Sequence, residues 1–77
     1  MFALLNLTPR AIELGDAELE ELFQLRVTED NGRDRRITNV CAPAAVLVDG
    51  HRLPISITHH LPSGCLVTVG TLLFRCH

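Results

Sequence analysis

The chain has 77 residues, a net charge of −2 and 47% hydrophobic side chains, with a mean hydropathy of +0.22. That length holds one domain with a small core, and so apolar a short chain is expected to cover its surplus by forming a homo-oligomer. No apolar run approaches a membrane span, and no basic segment precedes the opening Phe2-Ala3-Leu4-Leu5, so the expectation is no membrane association and a cytoplasmic chain without a signal peptide.

Charge is unevenly spread. Residues 1–31 carry seven carboxylates against Arg10 and Arg26, whereas residues 32–77 carry five arginines against Asp34 and Asp49. Every basic side chain is arginine, a residue that grips phosphates and carboxylates with two parallel donors, though codon usage alone would give the same bias. Three cysteines without short paired spacing argue against a secreted disulfide framework and for buried thiols in a reducing compartment.

Residues 1–7 have apolar side chains on both faces of an extended chain, which suits either a short strand or an arm laid on a neighbour. Thr8-Pro9 offers a cap and first position for a short helical segment through Leu14, where Gly15 interrupts it. Asp16 reads as the N-cap of a helix from about Ala17 to Phe23 or Gln24, with Glu18 in its first turn and Leu19, Leu22 and Phe23 at helical spacing. Its acidic side, Glu18, Glu20 and Glu21, is either solvated or docked on an arginine patch.

From Leu25 the period changes to two. Asp30-Asn31-Gly32 as a three-residue loop pairs Leu25 with Ile37, Val27 with Arg35 and Glu29 with Arg33 in a hairpin over residues 25–41, and Ala42-Pro43 makes the corner that follows. Residues 44–76 then alternate through three turns. Asp49-Gly50 suits a two-residue turn that sets Val48 against His51, Leu47 against Arg52, Val46 against Leu53 and Ala44 against Ile55. Pro62-Ser63-Gly64 suits a bulged loop that sets Leu61 against Cys65, His59 against Val67 and Ile57 against Val69. Gly70-Thr71, with glycine first, sets Val69 against Leu72, Val67 against Phe74 and Cys65 against Cys76, two thiols that could pair if oxidised.

The expected fold is mainly β: a small antiparallel meander of five to six strands, a partly open barrel, with one short acidic N-terminal helix. It is a single domain made of an arm and helix (residues 1–24), a hairpin (25–41) and the meander (44–76). The expected inner face is Leu25, Val27, Ile37, Val46, Val48, Leu53, Ile55, Ile57, Val67, Val69, Leu72 and Phe74.

Four histidines and three cysteines are present, yet they lack the short Cys-x-x-Cys or His-x3-5-His spacing of a metal site. Cys65, Cys76 and His59 form the one grouping the register allows, and buried thiols beside an ordinary histidine is the preferred interpretation. No serine or cysteine sits in a nucleophile motif, no carboxylate pair suits acid–base work and no glycine loop cradles phosphate. The expectation is therefore a non-enzymatic protein without metal or cofactor. The cluster Arg33, Arg35 and Arg36 is either a phosphate-binding feature or a solvated hairpin.

Val46-Leu47-Val48-Asp49-Gly50 resembles the alternating strand ending in Asp/Asn-Gly of the first motif of the Sm-like family. Leu72-Leu73-Phe74-Arg75 resembles the apolar strand that runs into arginine in its second. The likeness covers residues 44–77, with Cys76 and His77 where that family has glycine and an aspartate or asparagine. It implies a variant of a small barrel that assembles into rings and binds RNA, with Arg75 as the one nucleic-acid contact carried over; the hairpin's Arg33, Arg35 and Arg36, with His59 or His60, are candidate contacts beside it from their own chemistry. The hairpin of residues 25–41 would supply the closing strand. The alternative is a protein–protein interaction or structural module with no nucleic-acid ligand.

Overall fold

The computed structural model describes residues 1–6, 10 and 12–77. In chain order the elements are β1 (Phe2–Leu4), β2 (Ile12–Leu14), α1 (Asp16–Phe23), β3 (Leu25–Asp30), β4 (Asp34–Asn39), β5 (Val46–Val48), β6 (His51–Arg52), β7 (Thr58–His60), β8 (Leu66–Val69) and β9 (Leu72–Cys76). All pairings are antiparallel. The fold is mainly β with one helix, as the alternation implies, but the strands form two sheets rather than a closed barrel. One sheet has the order β2-β1-β9-β8-β5-β6 and the other β3-β4-β7.

Two of the three expected turns set their registers. Asp49 and Gly50 have φ of 49° and 83°, the pair of left-handed residues that a type I′ turn requires, and Val48 faces His51 while Leu47 faces Arg52. Gly70, at φ 61°, opens the loop that sets Val69 against Leu72 and Val67 against Phe74. A side chain at Gly70 would bring its Cβ within 3.2 Å of the Ala44 Cβ as well as straining the backbone.

Elsewhere the pairing differs from expectation. The first hairpin pairs Val27 with Ile37 and Glu29 with Arg35, two residues off the expected register, because Asn31 and Gly32 both take left-handed φ and the turn closes through Arg33 N–H to Asp30 O (3.0 Å). The shift is even, so Leu25, Val27 and Ile37 keep their common face. The meander is broken at β7, which joins β4 and not β8, with His60 opposite Arg36 and His59 opposite Ile37. Pro54 starts a turn closed by Ile57 N–H to Pro54 O (3.1 Å). Ser56 N–H to Asn39 O (2.7 Å) and Asn39 N–H to Ile57 O (3.1 Å) then dock this turn on the end of β4. The chain thus crosses to the other sheet, and β8 takes the free side of β5, with Val46 opposite Val69 and Val48 opposite Val67. Ile55 and Ile57, expected inside, lie on this crossing and are 56% and 49% exposed.

Phe2, Leu4, Val46, Val48, Val67, Val69, Phe74 and Cys76 from one sheet meet Leu25 and Ile37 from the other, and Leu19 of α1 completes the core. Phe23 packs edge-to-face on Phe74, ring centroids 5.3 Å apart. Helix α1 starts at Asp16, so Gly15 is the N-cap and no side chain caps it. Asp16, the expected cap, lies in the first turn and turns to Arg35 instead. Residues 1–7 were open between strand and arm; Phe2–Leu4 are strand, paired on one side with β9 and on the other with β2. The β1 pairing fills the edge of β9 that the hairpin of residues 25–41 was expected to close. The Thr8-Pro9 cap lies outside the described residues, and Ile12–Leu14 of the proposed short helix are strand. Among the described residues no helix is long and apolar enough to cross a membrane.

Candidate interaction surfaces

Strand parity assigns each predicted site residue to a face. On β4, Arg35 and Ile37 point toward the core side and Arg36 away from it. Arg35 accordingly reaches inward. Its Nη2 donates to Asp16 Oδ1 (2.9 Å), its Nη1 lies 3.0 Å from both Cys76 Sγ and the His77 carbonyl, and its guanidinium carbon sits 5.5 Å from the Phe2 ring centroid. Only 16% of the side chain is exposed. Of the acidic side Glu18, Glu20 and Glu21, Glu18 and Glu21 are exposed and Glu20 pairs with Arg26 at 2.8 Å, whereas the carboxylate that docks on Arg35 is Asp16.

Arg36 and His60 are exposed neighbours on the outer face of the three-stranded sheet, where Thr38 and Thr58 share a hydrogen bond of 2.7 Å beside them. Arg33 is exposed in the β3–β4 loop. His59 takes the opposite parity and meets His51 across the rim of the sandwich, rings 6.3 Å apart and 18° from parallel. Its Nδ1 lies 2.6 Å from the His60 carbonyl. Arg75 lies apart from all of these, on the outer face of the six-stranded sheet, opposite Ala3 and Leu66. The six residues are therefore not gathered into one site: one is committed to the interior and the exposed arginines look out from opposite sides of the molecule. Nor do Cys65, Cys76 and His59 converge, and among the described residues no three potential ligands cluster as a metal would need.

What the sequence analysis missed is the outer face of the six-stranded sheet. One row across it reads Glu13, Ala3, Arg75, Leu66, and the next holds Leu73, Thr68, Leu47 and Arg52. Leu5 extends the second row, donating its N–H to the Leu73 carbonyl (2.9 Å). Leu47, Leu66 and Leu73 are half-buried and Leu5 is exposed, yet none belongs to the core cluster. Helix α1 packs on the inner side and does not cover this face, within which Ala3 is buried and Leu5 exposed. The signal was in the sequence as apolar residues at both parities, Leu47 between Val46 and Val48, and Leu73 between Leu72 and Phe74.

A cavity of about 280 Å³ opens between the β5–β6 hairpin and the end of β4, lined by Asn39, Ala42, Ala45, Val46, Arg52 and Leu53 among others. Asn39 is buried, and both ends of its amide have a protein partner: the N–H donates to Leu53 O (2.8 Å) and Oδ1 accepts from Ala42 N–H (2.8 Å). Comparison with known proteins gives no matching family, no matching curated protein and no matching solved structure.

Proposed function

We propose that this chain is a non-enzymatic interaction module that pairs with a second copy of itself through the outer face of its six-stranded sheet. The observation that carries this reading is the neighbouring pair Leu5 and Leu73 on the outer face of the sheet, apolar side chains outside the core cluster, Leu5 exposed and Leu73 half-buried. Charge suggests the symmetry. Glu13 and Arg75 flank Ala3 in one row, about 10 Å apart at two strand spacings. A two-fold axis over Ala3 and along the strands then sets each Arg75 against the partner copy's Glu13 and apposes β2, β1 and β9 of the two copies, so Leu5 and Leu73 lie within the overlap and Leu47 and Leu66 beyond it. Sedimentation equilibrium tests it through charge reversal. Arg75→Glu alone and Glu13→Arg alone should each sediment as monomers, and mixing the two should restore a dimer, since each then supplies the sign the other lacks. A wild-type chain that stays at 8.5 kDa across micromolar concentrations refutes the pairing.

The RNA-binding reading rests on a separate observation, the adjacency of exposed Arg36 and His60 on β4 and β7, with Arg33 in the nearby loop. Asp30 and Asp34, paired at the end of the same hairpin, weaken its field. It requires retention of RNA that falls steeply with salt and is lost in Arg36→Ala, without any change in self-association. The absence of such retention by folded protein at low salt leaves self-pairing as the account of the chain.

A further inference from the structure

Cys65 and Cys76 occupy the end of the β8–β9 pair. Gly64, at φ 78°, forms a glycine bulge there: Gly64 N–H donates to Cys76 O (2.8 Å) and Cys76 N–H to Cys65 O (3.0 Å), so two residues on one strand face one on the other. Strand parity places both side chains on the inner side, opposite each other and buried. The third thiol, Cys41, is exposed. Over the pair lies Arg35, whose Nη1 is 3.0 Å from Cys76 Sγ and which Asp16 and the Phe2 ring hold in place. A guanidinium N–H at that distance orients the Cys76 sulfur. At Cys65, burial, then the adjacent Cys76 and Asp49, push the thiol up to about 12, with Arg35 opposing them. The two cysteines are thus unlike: the Cys76 sulfur has the Arg35 guanidinium beside it, whereas burial and neighbouring groups hold Cys65 as a protonated thiol.

We propose that Cys76 and Cys65 are an oxidisable dithiol, with Cys76 attacking a small hydroperoxide and Cys65 closing the product to an intramolecular disulfide. In the first step the Cys76 sulfur attacks the peroxide and the thiol proton passes to the departing oxygen. A sulfur–oxygen bond forms, the oxygen–oxygen bond breaks, and the departing oxygen takes up that proton to leave as water or an alcohol. Cys76 is then a sulfenic acid. In the second step the Cys65 sulfur attacks that of Cys76, the sulfur–sulfur bond forms, and hydroxide leaves with the Cys65 proton as water. Two thiols are oxidised and one peroxide is reduced. Cys65 is 5% exposed and Cys76 fully buried beneath the Arg35 arm, so a bulky disulfide is excluded and only an oxidant small enough to pass the Arg35 arm reaches the pair.

The test uses the full chain carrying Cys41→Ser, so that only the two thiols in question remain. Treatment of the folded protein with one equivalent of hydrogen peroxide should remove two hydrogens by intact mass and lower the thiol count from two to none. Peptide mapping should place the bridge between Cys65 and Cys76, and dithiothreitol should restore both thiols. In the same background Cys65→Ala should trap the sulfenic acid, read as a dimedone adduct at Cys76. Retention of both thiols by the folded Cys41→Ser chain overturns the proposal, as does a product that gains oxygen and resists dithiothreitol; neither result depends on a variant at a buried cysteine.

Discussion

Adjacent residues on β9 give the sharpest separation of fold from function. Phe74 points to the core and is fully buried, in edge contact with Phe23 at 5.3 Å, whereas Leu73 points to the outer face beside Leu5. Phe74→Ala removes a ring from a packed interior and should cost about 3–5 kcal/mol. A domain of this size has about 4–12 kcal/mol in total at ordinary stability per residue, so that variant loses a large share of its folding free energy. Leu73→Lys leaves the core intact and should cost the monomer no more than about 1 kcal/mol. Its effect on pairing is much larger. Burying a central interface side chain is worth roughly 2 kcal/mol, and two-fold symmetry applies the loss twice, so about 4 kcal/mol, or roughly a thousandfold in dissociation constant, is expected. Urea unfolding followed by circular dichroism measures the first quantity and sedimentation equilibrium the second. A Leu73→Lys chain that unfolds as readily as Phe74→Ala would show that the outer face is core, and one that remains dimeric would refute pairing through it.

Other substitutions probe the elements that hold the two sheets together. Asn39→Ala leaves the buried Leu53 carbonyl and the Ala42 N–H without their partners, both at 2.8 Å; a loss of about 2–4 kcal/mol in urea unfolding is expected, and a loss below about 1 kcal/mol would mean these groups find water instead. Cys65 predicts an alkaline limb. Its thiol is raised from 9.0 to about 12 in the folded chain, so above pH 9 the unfolded state releases this proton first, and stability present below that pH should fall by about 1.4 kcal/mol per pH unit until the folded thiol titrates. The groups acting on it are Cys76, Asp49 and Arg35; Cys65→Ala should flatten the limb in urea titrations from pH 8 to 11, and an unchanged slope would assign it elsewhere.

Much of the sheet was legible because turn chemistry and alternation agreed. Asp49-Gly50 and Gly70-Thr71 each admit one tight turn, and each set its register. Pro62-Ser63-Gly64 looked equally informative, and its glycine is left-handed as expected, yet the strands on either side of it belong to different sheets. A turn specifies how a chain reverses and does not specify that the flanking strands stay paired. That choice was made at a distance, by the Pro54–Ile57 turn docking on Asn39, and no local pattern encodes it. For the same reason Ile55 and Ile57 continued the alternation in the sequence but carry it onto an exposed crossing.

The arginine cluster shows why a charge run on a strand differs from one in a loop. Arg35 and Arg36 are neighbours in sequence, but the period of two sends them to opposite sides of β4. Ile37 faces the core and fixes Arg35 to the same side, where its charge is met by Asp16 and its plane by Phe2; Arg36 is left in solvent beside His60. The pair therefore offers an external ligand one positive charge and not two. The other charge anchors the acidic helix to the sheet and lies against the Cys76 sulfur. Replacing Arg35 should loosen α1 and expose the thiols together, whereas replacing Arg36 should leave both unchanged. Comparing thiol accessibility in Arg35→Met and Arg36→Met measures how far the charge of this strand serves the interior, and equal accessibility in the two variants would refute the division.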